Sequence, residues 1–587
     1  VEVEPPVTRA RLLLVALVTV LLGITTACSD QPVARPPGQG TPTPTPTPKA
    51  EPTRLVVGVG DLPPGFNPHL LADRSPVTTA LATLVLPSPF KVAADGTLQL
   101  DPTIVSSARV VDSNPFTVSY ELNLEASWSD NAPVAAEDFV YLWQQMRTQP
   151  GAADAAGYQL ITDVRSRAGG KAVDVVFSQA YPAWQQLFSG LLPAHLLKDA
   201  PGSWIGATTG GLPTSGGPFK VSSVDRGRGE IVLTRNDAYW DTPTVLDQLV
   251  LRRLGPSGLA AGLTTGDVDV ALPQADQAVR TALTGVTPPP RVQDAPQSSV
   301  TQLSLRTDTG PLRDVRARQA LAKLIDRNAL RTAVAPDALP ADALGLAPSQ
   351  PGYTPTAPPS VAPDPAGAAQ LLTQVGWKRD VVTGRWDTAD GRAVRLVVGA
   401  AADRPEDVRV AEAVATQLRA AGMEAQVVAP PATDLFALPT VAPTPPSTGP
   451  SVTPTPTPTP TATAAGVAAD IIVGPRAVGG DLATELASAY GCTPATPQYP
   501  DPPRPPTAFC YPALQPLFNE LMSPAPRADS EAAVERTLWQ QVPVLPLFQP
   551  VTLVVSTVEA DEATSIGPGS LLGGPLAGAP RWRQATH

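Results

Sequence analysis

Trp128-Ser129-Asp130-Asn131 running on to Glu137-Asp138-Phe139, Arg235-Asn236-Asp237-Ala238-Tyr239-Trp240, and Asp314-Val315-Arg316 running on to Ile325-Asp326-Arg327 decide the fold by their order and separation. The first reads as a turn that opens a helix, because Phe139, Val140, Trp143 and Met146 recur at helical spacing. Before the second, Ile231, Leu233 and Arg235 alternate with Val232 and Thr234, a strand pattern that ends at the Asn-Asp turn. The third opens on Asp314, suited to cap a helix, after which Ala317, Ala320, Leu321, Leu324 and Ile325 form one apolar stripe flanked by Arg316, Arg318 and Arg327. These are packing signals and carry no chemistry of their own.

Together with Ser215-Gly216-Gly217-Pro218-Phe219, the blocks resemble the extracytoplasmic solute-binding proteins of the peptide and nickel transporter class, family 5. That family shows Trp-Ser-Asp-Gly leading to Thr-Ala-Glu-Asp-Phe, Gly-Pro-Tyr before Arg-Asn-x-x-Tyr-Trp, and Asp-Val-Arg-x-Arg-x-Ala ending in Ile-Asp-Arg. The resemblance runs from about Leu55 to about Val555. Two positions depart from it: Asn131 stands for the turn glycine, and Ala135 for the threonine, which removes a helix cap worth about 1 kcal/mol. The resemblance implies an α/β fold of two lobes, periplasmic-binding-protein-like and of class II, with an accessory domain inserted in the first lobe. It also implies a hinge, and a cleft that closes on a ligand.

Near the N-terminus, Arg9 and Arg11 precede an apolar run from Leu12 to Ile24, the length of a signal-peptide core and too short for a stable membrane span. Thr25-Thr26-Ala27-Cys28 resembles a lipobox, so Cys28 is the expected lipidation site on the outer face of the cell membrane; an incidental Cys is the alternative. Glu2 and Glu4 are unusual in such a leader, which leaves Val7 as an alternative start. The Thr-Pro repeats from Thr41 to Pro48 favour extended polyproline II, about 3.1 Å per residue, and read as a semi-rigid tether.

Of 587 residues, 72 are proline, against a usual ~5%. Much of the excess lies in the tether and in a second tract from Pro443 to Pro460; the remainder is long enough for two or three domains. The net charge of −11 argues against nucleic acid as a partner. Cys492 and Cys510 flank a Pro-rich loop and read as a disulfide outside the cytoplasm, stabilising by about 3 kcal/mol; two free thiols are the alternative.

The expected organisation is a signal peptide at 1–27, a disordered tether at 28–52, first lobe at 53–84, accessory domain at 85–205, and first lobe again at 206–298. The second lobe is expected at 299–540, with a disordered Thr/Pro insertion near 441–465, and residues 541–587 are expected to return to the first lobe. The second-lobe pattern is clear: a strand at Val394 to Val398, a helix at Glu406 to Ala421 ended by Gly422, and a strand at Glu424 to Val428. Short links make this a crossover, so a parallel sheet is expected. The run Val542 to Phe548 resembles the segment by which the family's chain returns to its first lobe.

Enzyme motifs are missing: there is no Gly-x-Ser-x-Gly, no phosphate-binding Gly loop with Lys, and no Cys or His cluster at metal spacing. An enzyme, a metal and a cofactor are therefore not expected. Of the three histidines, His195 reads as packed core, His69 as surface or a ligand contact, and His587 as solvent-exposed. The resemblance places Asn67 beside the cleft, where a plain turn is the equal alternative, and puts Arg476 where peptide binders of the family carry an acidic residue. A cation there suits a phosphate or carboxylate, although a surface Arg is the equal alternative. Trp377, Trp386 and Tyr490 are second-lobe aromatics that could stack on sugars. Cys28, the tether, Ser215 to Phe219, Asp225 to Glu230 and the Cys492/Cys510 pair are similar to an actinobacterial lipoprotein subgroup. That subgroup is linked to mannosylated phosphatidylinositol lipids and the control of lipomannan and lipoarabinomannan synthesis. The expected function is therefore a monomeric, lipid-anchored binding protein for such a glycolipid or for a membrane glycosyltransferase that handles it. The alternative is the receptor of an ABC permease for peptides or another small solute. A Cys28→Ser chain is expected to leave the membrane fraction on cell fractionation; retention there overturns the lipobox reading.

Overall fold

The computed structural model describes residues 52–436, 468–493 and 504–585. The leader, Cys28, the tether up to Glu51, the 441–465 insertion and His587 lie outside the described residues.

Arg54–Val59 is a central strand because Leu-Val-Val-Gly-Val is apolar on both faces, and all five residues after Arg54 are buried. It pairs in parallel with Gln248–Arg253 and Val270–Leu272. The seven-stranded sheet around it runs Arg291–Pro296, Val551–Ser556, Val270–Leu272, Arg54–Val59, Gln248–Arg253, Glu230–Arg235, Phe219–Asp225. A six-stranded sheet forms the second lobe, in the order Leu339–Pro340, Val544–Gln549, Ser299–Leu305, Ile471–Ala477, Arg395–Gly399, Glu424–Val428. Between Val105 and Phe177 a four-stranded antiparallel sheet carries the helix Ala136–Thr148 and an aromatic core in which Phe139 and Phe188 centroids are 4.9 Å apart.

The second-lobe sheet is mixed, which corrects the parallel expectation. Arg395–Gly399 is parallel to both its neighbours, but Ser299–Leu305 is antiparallel to both of its own. A β-α-β unit dictates only its own two strands; the other half of this sheet is built from strands that carry the chain between lobes. The return to the first lobe is also later than expected. Val544–Gln549 still pairs with Ser299–Leu305, and the crossing falls at Pro550, ahead of Val551–Ser556.

The motif blocks are explained by packing. Asn131 takes a left-handed φ of 70°, which Asn tolerates in place of glycine. Ala135 has no oxygen to cap the following helix, yet Asp138 repairs that end from the other side. Its Oδ2 accepts the Ala135 N–H at 3.0 Å and the Trp128 indole N–H at 3.2 Å, while Oδ1 accepts the Ala194 N–H at 2.9 Å. Asp314 caps its helix by accepting the Arg316 N–H at 2.9 Å. Arg318 does not flank the stripe in solvent. It is buried and donates to the carbonyls of Leu312 (2.8 Å), Arg313 (3.0 Å) and Gln541 (2.9 Å), and burial pushes its pKa down to about 10.

Two histidines differ from expectation. His195 is half-buried, with Nε2 2.9 Å from Asp130 Oδ2, because it meets the motif turn at its rim and not the core. His69 is neither free surface nor placed on a cavity: its ring stacks on Trp204 at 5.7 Å, and Nε2 lies 2.9 Å from the Gly190 carbonyl. Burial pushes its pKa down to about 4, so the ring is neutral at pH 7 and its Nε2–H donates to that carbonyl.

Gly216 and Gly217 both donate to the Val85 carbonyl at 3.0 Å, and a Cβ on Gly217 would collide with the Leu84 carbonyl. Gly217→Ala is accordingly expected to destabilise the chain by about 2 kcal/mol, as overpacking does, measured by denaturant unfolding.

Candidate functional site

The strands Arg54–Val59 and Arg395–Gly399 both end at the same gap between the lobes. Ligands of open α/β sheets bind beyond the carboxyl ends of strands, where loops are free to present polar groups. After the first strand come Gly60 to Pro64; after the other come Asp403 to Arg409, the start of the helix Pro405–Ala420. These loops face each other across a cavity of about 560 Å³. Its floor is the pair of interlobe crossings, Ala295 to Thr301 and Pro550 to Thr552, and residues 568–576 cover one side.

The crossings are tied together. Gln297 donates its backbone N–H to the Pro550 carbonyl at 2.8 Å and its side-chain amide to Thr552 Oγ1 at 3.1 Å. Gln549, fully buried, donates back to the Gln297 carbonyl at 2.9 Å and to Ser349 Oγ at 2.8 Å. Across the mouth, the Gln274 amide of the first lobe donates to Glu406 Oε2 of the second, and Arg404 Nη1 donates to the Arg74 carbonyl at 2.7 Å.

Acids and arginines alternate on the polar wall. Arg404 pairs with Asp407 at 2.6 Å, and Arg74 Nη2 donates to the Ser298 carbonyl at 3.2 Å while its buried Nε has no partner. Asp403 Oδ1 is likewise buried without a partner. Burial pushes the Glu406 carboxyl up, against the Gln274 bond and with help from Asp407; partial burial raises Asp61 against the pull of Arg253 and Arg409. The opposite wall is apolar, with Leu62, Pro63, Leu254, Leu272, Leu571 and Leu576. No aromatic ring is among the described residues that line this cavity.

None of the sequence-predicted contacts lines it. Asn67 is fully buried, and its side chain organises the loop beside it, donating to the Trp204 carbonyl at 3.0 Å and accepting the His69 N–H at 3.0 Å. Trp377 and Trp386 are core residues, and Trp386 bonds to Gly422 at the far end of the helix Pro405–Ala420. Cys492 and Cys510 are bonded to each other. Arg476 and Tyr490 are brought near one another, but behind the cavity, in a buried polar cluster with Glu485. Arg476 Nη2 donates to the Gly345 carbonyl at 2.9 Å, while its Nε and Nη1, Glu485 Oε2, the Tyr490 hydroxyl and Gln302 Oε1 have no partner. Unpartnered buried polar atoms are costly, and this cluster concentrates several of them. Sequence reasoning missed Gln274, Gln297, Asp403, Glu406 and Gln549; the one available signal was that Asp61 and Asp403 to Asp407 each follow the carboxyl end of an apolar strand.

The architecture is that of a two-lobe binding protein with an inserted third domain and a ligand cavity at its hinge. The family model of bacterial extracellular solute-binding proteins, family 5 (middle), matches residues 99–454, and the chain belongs to that family. It is 35% identical over 94% of its length, and 95% of the relative's, to the probable monoacyl phosphatidylinositol tetramannoside-binding protein LpqW of Mycobacterium tuberculosis. The oligopeptide-binding protein OppA of Mycobacterium bovis is 28% identical over 58% of each chain. Among solved structures, the oligopeptide-binding protein AppA of Bacillus subtilis superposes with a TM-score of 0.69 at 16% identity, covering 91% of this chain and 100% of that one, a likeness of fold.

Burial, with Asp154, holds the Glu485 carboxyl up at about 8 against Arg476, the Gly480 N–H and Arg74. The folded chain therefore keeps a proton that the unfolded chain releases near 4.5. The stabilisation this gives is complete below that value and is lost as pH rises through about 8. Between about pH 6 and 9, Tm is expected to fall more steeply in the wild type than in Glu485→Gln, measured by calorimetry in matched buffers.

Proposed function

We propose that this is an extracytoplasmic, lipid-anchored binding protein, and not an enzyme, whose interlobe cavity holds the polar head of a mannosylated phosphatidylinositol. Through that ligand, or a membrane glycosyltransferase that handles it, the protein would regulate lipomannan and lipoarabinomannan synthesis. The observation that carries the reading is the wall of the cavity: acids, one of them Asp403 with an unused acceptor atom in Oδ1, alternate with arginines opposite an apolar face. Sugar hydroxyls both donate and accept, so they match such a wall. The unpartnered Arg74 Nε suits a phosphate oxygen, and the leucines and prolines suit the start of an acyl chain. Without an aromatic platform, sugars would be held by hydrogen bonds and not by stacking. The near full-length similarity to LpqW supports the same ligand class.

A second reading has its own support. The unpartnered Asp403 Oδ1 also suits an ammonium group, and the partial similarity to OppA fits a peptide receptor of an ABC permease. Titration calorimetry separates them. A mannosylated inositol phospholipid is expected to bind measurably and short peptides weakly or not at all. Asp403→Asn is expected to weaken the lipid about tenfold, the loss of one hydrogen bond to a charged group. Micromolar peptide affinity with no lipid response would reverse the assignment in favour of transport.

A further inference from the structure

Val381 and Val382 are 98% and 90% exposed, more than any other large apolar side chain among the described residues. They form the tip of a hairpin whose strands Lys378–Arg379 and Trp386–Asp387 pair antiparallel. Asp380 makes the turn by itself: its Oδ1 accepts the N–H groups of Val382 (2.9 Å) and Thr383 (2.7 Å), and its backbone carbonyl accepts the Gly384 N–H at 2.9 Å. The base is clamped by the Trp386 N–H on the Gly422 carbonyl at 2.8 Å and by the Arg379 guanidinium 5.9 Å from the Trp386 ring centre. Neither valine side chain contributes to holding this shape. Polar side chains would serve the turn equally well, so two adjacent β-branched residues in water call for a partner outside the chain.

Charge around the tip identifies that partner. Asp387 and Asp390 are taken up by Arg385 (2.9 Å) and Arg392 (2.6 Å), and the Asp380 carboxylate is spent on the turn amides. Lys378 and Arg379 have no carboxylate partner among the described residues, and with Asp380 still ionised residues 378–392 carry a net charge of about +1, in a chain whose net charge is −11. An apolar tip above a cationic collar matches a bilayer surface with anionic headgroups, the valines entering the headgroup boundary and the cations resting on phosphates. The hairpin sits by Gly422, past the C-terminal end of the helix Pro405–Ala420, whose other end lines the cavity. That helix of sixteen residues at 1.5 Å each is about 24 Å long, so its two ends lie that far apart.

We infer that the Val381–Val382 hairpin docks the second lobe onto an anionic lipid bilayer, so that the first lobe is the one that moves when the cleft opens. This rests on the membrane-anchored reading for its setting, and a chain without the anchor tests the contact by itself. The mature chain from Ser29 onward, without leader or acylated cysteine, is to be sedimented with vesicles of phosphatidylcholine mixed with phosphatidylinositol, and with pure phosphatidylcholine vesicles. Binding to the mixed vesicles only is expected. It should fall about tenfold in Val381→Asp/Val382→Asp, fall with Lys378→Glu, and be unchanged by Val558→Asp, an exposed valine elsewhere. An environment-sensitive dye on Val382→Cys should shift to the blue with mixed vesicles, and unchanged thermal melting shows that the variants fold. Equal binding to neutral vesicles, no binding to either, a double variant that binds like its parent, or a dye that does not respond each overturns the inference. Failure of glycolipid binding in calorimetry leaves these readouts untouched, so the two readings fail separately.

Discussion

The hydrogen bonds between the two interlobe crossings are the constraint on which the rest of the structure depends. Two strands pass from sheet to sheet side by side, and Gln297 and Gln549 bond each crossing to the other. A single crossing would leave the lobes free to twist. Two that are bonded together confine them to opening and closing about one line, which is what a ligand-operated clamp requires. Amide side chains suit the task because each offers both donor and acceptor, so a fully buried Gln549 and a half-buried Gln297 can bond to both strands.

Around that line the lobes meet through an apolar patch, where Ala72 and Leu71 pack against Ala401, Leu435 and Phe436, and through polar contacts. Gln274 on Glu406 and Arg404 on the Arg74 carbonyl span the mouth, and Tyr181 on Thr484 and Gln186 on the Asp481 N–H join the accessory domain to the second lobe. Such contacts are each worth little net of solvation, which keeps the balance between open and closed within reach of a ligand's binding energy. The same closure gathers carboxyls whose charge burial disfavours: Asp73 at about 6, Glu406 raised, Glu485 at about 8. Of these only Glu406 lines the cavity, where a ligand that donates a hydrogen bond to it would relieve that cost.

The motif residues serve packing and not recognition. Gly217 lets the chain lie against the Leu84 carbonyl, Asp138 repairs the helix end that Ala135 leaves open, and Arg318 ties the third block to Gln541. Ligand choice is thereby left to loops that the blocks position but do not contain.

The sequence by itself determined what short-range patterns encode. The central strand from Arg54, the alternation at Ile231 to Arg235, the Asp314 cap and the strand-helix-strand unit from Arg395 to Val428 follow from periodicity, capping and turn chemistry within a few residues. Only the tertiary structure decided direction, crossing point and site. Ser299–Leu305 runs antiparallel to Ile471–Ala477 because of pairings more than a hundred residues apart, which no local pattern records. Arg476 has the chemistry of a cleft cation but lies behind the cavity with Glu485 and Tyr490, and Trp377 and Trp386 are apolar enough to be core, which they are. The cavity itself draws its polar residues from many segments far apart in the chain. Each is unremarkable in its own neighbourhood, and they acquire a function only because the hinge holds two strand ends face to face.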